Sequence, residues 1–160
     1  MDKSIVCGVD GSLDSEAVLA VAARLADRVG ARLVLANVVE YVPSPTTTVG
    51  VIGPAPVAEA PLPDVLREEV HAGERLLEKM AEQAKLEAAE TRVVTGFAAE
   101  RLADLADEVN AELIVVGSRR RGAFKAAFLG SVSTSLIGVA RCPVLVVPPG
   151  AREGADTLRS

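Results

Sequence analysis

Three consecutive arginines, Arg119 to Arg121, stand between Gly117 and Gly122 in the stretch GSRRRGAFKAAFLGSVS. A glycine-hydroxyl pair, Gly130-Ser131, follows thirteen residues after Gly117. Glycine lets a ligand approach backbone N–H groups closely and accepts positive φ. A helix opening at Gly130-Ser131 would add unpaired N–H groups and the positive end of its dipole, which together favour an anion. The dipole alone contributes only ~0.3–1 kcal/mol, whereas micromolar affinity requires about 8 kcal/mol. Several amides, the serine hydroxyls and arginine would have to act together with burial of an organic group. The chemistry this stretch suggests is therefore retention of a phosphate-bearing ligand. The alternative for Arg119 to Arg121 is an exposed charged turn.

The stretch is not a Walker A loop. Gly117 and Gly122 have the required separation, but Ala123-Phe124 stand where Lys-Ser/Thr is needed. Without that lysine and the hydroxyl that holds Mg²⁺, rapid nucleoside triphosphate hydrolysis is not expected. Other reactive side chains are sparse. His71, the sole histidine, lies in a charged helical stretch and reads as a surface residue, neither ligand nor base. Cys7 and Cys142 both fall in apolar strand-like runs without metal-ligand spacing, and read as buried reduced thiols.

The elements that position these residues follow from periodicity. SIVCGV, residues 4 to 9, is a buried strand that leaves its sheet at Asp10-Gly11-Ser12. A first helix follows, with Ser12 or Asp14 as its cap and Gly30 closing it. Residues 31–42 form the second strand. Residues 43–63 hold six of the nine prolines and read as a long surface loop. A long amphipathic helix is expected over 64–88, a strand over 91–98 and a helix over 99–110. ELIVVGS gives the fourth strand, SVSTSLIGVA the last helix and CPVLVVPP the fifth strand. Aliphatic strands alternating with helices predict a doubly wound five-stranded parallel sheet, covered on both faces. Such sheets bind ligands beyond the carboxyl ends of their strands, where strand order reverses. The turns after strands 1, 2 and 4 are the candidate loops.

Composition narrows the partners. At 160 residues the chain reads as one domain over 1–150 with a tail over 151–160. Aromatics are 2% and the net charge is −5. Both argue against nucleic acid, which wants stacking platforms and a broad basic face. With no apolar leader and only short apolar runs, a cytoplasmic protein without membrane insertion is expected.

Across nearly its whole length the sequence resembles the universal stress proteins. The resemblance rests on the VGVDGS-like start, the aliphatic second strand, the variable loop, ELIVVGSR, LGSVS and CPVLVVP. Nucleotide-binding members carry Gly-x-x-Gly, nine residues, then Gly-Ser/Thr, between the fourth strand and the last helix. Gly117 and Gly130-Ser131 match this frame, while Arg120 occupies the second glycine position. If that position needs positive φ, a side chain there costs roughly 1–2 kcal/mol, which a charge-assisted arginine–phosphate contact would offset.

The resemblance implies an adenine-nucleotide α-hydrolase-like (Rossmann-like) fold and an ATP site built from three loops. Gly8 and Asp10 would lie by base and ribose, with Val38 meeting the adenine through its backbone. Gly117, Ser118, Arg119, Arg120, Gly122 and Ala123 would surround ribose and phosphates, and Gly130, Ser131, Val132 and Ser133 would close on the phosphates. It implies Mg²⁺ or Mn²⁺ held through phosphates and water. It also implies a homodimer paired through the last strand, 144–148, acting as a stress-response regulator on a protein partner.

Two alternatives stand beside this reading. Asp10 also reads as a capping or turn-shaping residue, and Ser131, Ser133 and Thr134 as helix caps. Arg120, in place of the family glycine, supports a dimeric interaction module that has lost nucleotide. DGSLDS, residues 10 to 15, also partly resembles the Ser-Gly-Gly-x-Asp-Ser loop of ATP pyrophosphatases, with Asp10 and Ser12 replacing its first serine and second glycine. A slow ATP hydrolase or pyrophosphatase is the third reading; no catalytic residue or direct metal ligand is assigned.

Overall fold

The computed structural model describes residues 3–41, 63–118 and 129–151. Along the chain the described elements are β1 (Ser4–Gly8), α1 (Ser15–Val29), β2 (Arg32–Val39), α2 (Asp64–Gln83) and β3 (Glu90–Thr95). They continue with α3 (Ala98–Glu108), β4 (Ala111–Gly117), α4 (Ser131–Val139) and β5 (Val144–Val147). All strand pairings are parallel, in the order β3-β2-β1-β4-β5. The alternating pattern therefore produced the expected doubly wound sheet.

Two apolar layers cover it. Ile5, Cys7, Leu33, Leu35 and Val115 meet Val18 and Leu19 of α1 and Leu77 and Met80 of α2. Val6, Val34, Ala36, Ile114 and Val116 meet Leu102 and Leu105 of α3 and Leu136 of α4. Adjacent residues of one strand thus serve opposite layers, as the two-residue repeat of a strand requires. With few aromatics available, β-branched residues, Leu and Ala fill both cores.

Several boundaries differ from the sequence reading. The second helix ends at Gln83 rather than 88, because Lys85 turns left-handed at φ 55°. Its N–H bonds to Glu82 O at 3.0 Å and that of Leu86 to Ala81 O at 2.8 Å, closing the last turn. Asn110, at φ 51°, likewise stops α3 two residues early. Neither Ser12 nor Asp14 caps α1 through its side chain. Asp14 is already helical at φ −81° and ψ −14°, a geometry unlike the extended one a capping side chain needs. Gly30, at φ 65°, closes the helix as expected.

The cysteines divide. Cys7 is fully buried in β1, whereas Cys142 is half-buried in the turn before β5 and not within a strand; both are free thiols. Burial pushes the Cys7 thiol from 9.0 up to about 12. The stabilisation from keeping this thiol protonated is present below pH 9.0 and is lost as pH rises from there towards about 12. Cys142 is raised too, chiefly by desolvation. A disulfide-exchange reagent at neutral pH should label one thiol per native chain, Cys142, and both after denaturation. Equal labelling of Cys7 in the native protein would contradict its enclosure. His71 is exposed, with Nδ1 2.9 Å from Glu74 Oε2, in line with a surface role.

Candidate functional site

The strand order reverses between β1 and β4, and their exits run to opposite faces: α1 packs on one core and α4 on the other. A cleft of about 140 Å³ opens there, at the carboxyl edge of the sheet. Among the described residues its walls include Gly8, Asp10, Val38, Gly117, Val132 and Ser133. These came from four separate stretches of sequence and share one cavity. Ser12 and Ser15, which the sequence placed in the DGSLDS turn, also line it, as do Val18, Ala36, Ala98, Leu102 and Val116, which were not named as site residues. Ala98 and Leu102 had a usable signal: α3 follows a parallel strand, so its first turn must start at the same edge.

Two glycines keep the floor of the cleft low. A Cβ on Gly8 would come within 3.1 Å of both Leu102 Cδ1 and Val116 Cγ1. One on Gly117 would stand 3.3 Å from Val18 Cγ2. Asp10 shapes the turn between β1 and α1. Its Oδ1 accepts the Ser12 N–H at 3.0 Å and the Ser15 hydroxyl at 3.1 Å. Asp10 therefore has the turn-building role weighed for it, while also lining the cleft.

The other wall is the start of α4. Gly130 is its N-cap, extended at φ −61° and ψ 161°, and as a glycine it brings no capping side chain to the first turn. Thr134 N–H reaches Gly130 O at 3.0 Å, beginning the helical ladder. The amides of Ser131, Val132 and Ser133 precede that bond, at the end where the dipole is positive. Ser133 Oγ lies 3.4 Å from the carbonyl oxygens of Gly117 and Gly130, tying the helix to β4. Ser118 N–H donates to Val147 O at 2.9 Å, and Gly130 N–H donates to Ser118 O at 3.1 Å. Ser118 and Gly130 are thus neighbours in space.

Some expected site residues stand apart. Ser131 is exposed and lines an adjoining hollow with Glu40, Phe97 and Ser135; Ala98 and Val132 border both spaces. Arg119, Arg120, Gly122 and Ala123 lie outside the described residues, as do residues 43–62 of the proline-rich stretch and the tail after Ala151. The ionisable side chains among the described lining residues are Asp10 and Asp14. No group of three or more His, Cys, Asp and Glu among the described residues is placed to hold a metal. No described helix is long and apolar enough to cross a membrane.

A parallel sheet with its cleft at the reversal point is the architecture of the doubly wound nucleotide-binding folds. The sequence profile of the universal stress protein family matches residues 1–148, and the chain belongs to that family. It is 32% identical over 158 residues to a universal stress protein of Thermus aquaticus, covering 92% of this chain and 99% of that one. It is 33% identical over 149 residues to the universal stress protein YxiE of Bacillus subtilis, with coverage of 92% and 99%. Among solved structures it is similar to a universal stress protein in complex with cAMP, at a TM-score of 0.67 and 27% identity. That match covers 91% of this chain and 96% of the other.

Proposed function

We propose that this universal stress protein binds ATP in the cleft between β1 and β4 and works as a cytoplasmic homodimeric stress-response regulator. The observation that carries the reading is the glycine-capped first turn of α4 beside a glycine-floored cleft at the reversal point. Gly8, Asp10 and Val38 would border the base and ribose. Gly117, Ser118, Gly130 and the amides of Ser131 to Ser133 would face the ribose and phosphates, with Arg119, Arg120, Gly122 and Ala123 completing the site. The related structure holding cAMP supports an adenine nucleotide as the ligand class.

The donor set offers the N–H groups of the first turn of α4, which suit phosphate, beside two described carboxylates, Asp10 and Asp14. It fits a divalent ion held by the phosphates and water better than one held by protein side chains. The dimer would pair β5 with its copy. β5 ends the strand order, and an uncovered edge of this kind invites pairing.

A second reading is a dimeric interaction module without nucleotide, favoured by Arg120 standing where the family motif has glycine. Calorimetric titration of nucleotide-free protein with ATP, ADP, AMP and cAMP, with and without Mg²⁺, separates the two. Micromolar ATP binding, tighter than that of AMP, is the expected result. A folded dimer that binds none of them would leave the interaction module standing.

A further inference from the structure

The side chain of Asn37 lies under α2, on the sheet face that otherwise presents Leu33 and Leu35. Asparagine is disfavoured in strands, and a polar group beneath a helix needs a partner. Its partner is informative. Asn37 Nδ2 donates to Val9 O at 2.9 Å, one residue before Asp10. Val9 N–H already reaches Ala36 O at 2.9 Å. The last residue of the β1 exit is thus held at both its N–H and its carbonyl.

α2 makes room for this arrangement. A Cβ on Gly73 would stand 2.7 Å from Asn37 Oδ1, and 3.2 Å from Val93 Cγ1. An interior helical glycine costs roughly 1 kcal/mol relative to alanine; here it allows the helix to seat over the amide. One turn further along, Leu76 abuts the same exit: a Cβ on Gly11, at φ +76°, would come within 3.1 Å of Leu76 Cδ2. The β1–α1 turn is therefore braced by α1 through Ser15, by β2 through Asn37 and by α2 through Leu76, with Gly73 leaving room for the amide.

We propose that Asn37 is a positioning residue for the nucleotide cleft. By fixing the Val9 carbonyl it sets where Asp10 stands, and Gly73 makes that setting depend on the seating of α2. The proposal rests on the reading that the β1–α1 turn borders base and ribose. A nucleotide bound against the turn and a change in α2 would then influence each other reciprocally.

The test is Asn37→Leu, which keeps the approximate size and removes the amide. In nucleotide-free protein, hydrogen exchange at the Val9 and Ser12 amides should rise at least about tenfold, the result of releasing the brace. In titrations, ATP and AMP affinities should fall by the same factor, about three- to tenfold for one lost hydrogen bond. The ATP-to-AMP ratio stays fixed because the α4 amides are untouched. Gly73→Ala should give a similar loss, with little added in the double variant. Asn37→Asp, which sets an acceptor against the Val9 carbonyl, provides the same readouts if the leucine variant does not fold. Unchanged exchange at Val9 and Ser12 would overturn the positioning role whether or not nucleotide binds. Unchanged ATP and AMP affinities alongside normal wild-type binding would overturn its link to the ligand. Accelerated exchange in a wild-type background that binds no nucleotide would keep the brace, reject the link to the cleft and reject the ATP reading.

Discussion

Gly130→Glu is expected to lower ATP affinity at least about a hundredfold while the chain remains folded, the loss of two or more charge-assisted hydrogen bonds at ~1.5–3 kcal/mol each. Gly130 is buried at the mouth of α4, and its φ of −61° lies in a region open to any residue, so no backbone strain is introduced. A carboxylate there would approach the amides of the first turn, which a glycine at the N-cap leaves to other partners. That contact favours the helix, while placing negative charge where the phosphates are proposed to sit. Gly130→Ala separates bulk from charge and should retain most of the binding. Titration of both variants, with thermal unfolding as the control, checks this. Wild-type ATP affinity in the glutamate variant would remove α4 from the site.

Leu136→Ala has the larger expected effect on stability. α4 spans only nine residues, too short to persist alone. Its buried side chains are Ser133 and Leu136, so Leu136 is its one large apolar anchor, fully enclosed among α3 and β4 residues. Truncation should cost about 3 kcal/mol from lost burial and the cavity left behind. At about 2–4 °C per kcal/mol for a chain of this size, the melting temperature should fall by roughly 6–12 °C. ATP at about a hundredfold excess over its dissociation constant should restore about 2.7 kcal/mol by binding only the native state. A fall below about 2 °C without ligand would show that α4 is held by something other than Leu136.

The fold was largely legible because the strands announce themselves. Runs such as LIVV and VLVV are too short for helices and too apolar for an open face. Strand ends were less readable, since sheet pairing stops where a neighbour stops. β2 ends at Val39, which pairs with Thr95 at the end of β3. The end of α2 was hidden for another reason: Gln83 to Ala88 are ordinary helix formers, and the stop is a lysine in a conformation that sequence rarely assigns to it. Leu86 and Ala89 turn inward against the first core, and that packing offsets the strained lysine.

The site was legible where glycine or aspartate marks a strand exit, as at Gly8, Asp10 and Gly117. Ser15 and Leu102 carried no such mark, because their place in the cleft comes from helix packing. Asn37 passed as part of the second strand, because its partner, Val9, is 28 residues away.

The bond between Gly130 N–H and Ser118 O also bears on how this scaffold tolerates change. It holds the exit of β4 and the entry of α4 side by side. Closing a longer flexible connection costs little, only about 0.6 kcal/mol for each doubling. Ser118 and Gly130 therefore mark natural graft points. A segment exchanged between them would meet the same two ends, one on the sheet and one on the helix.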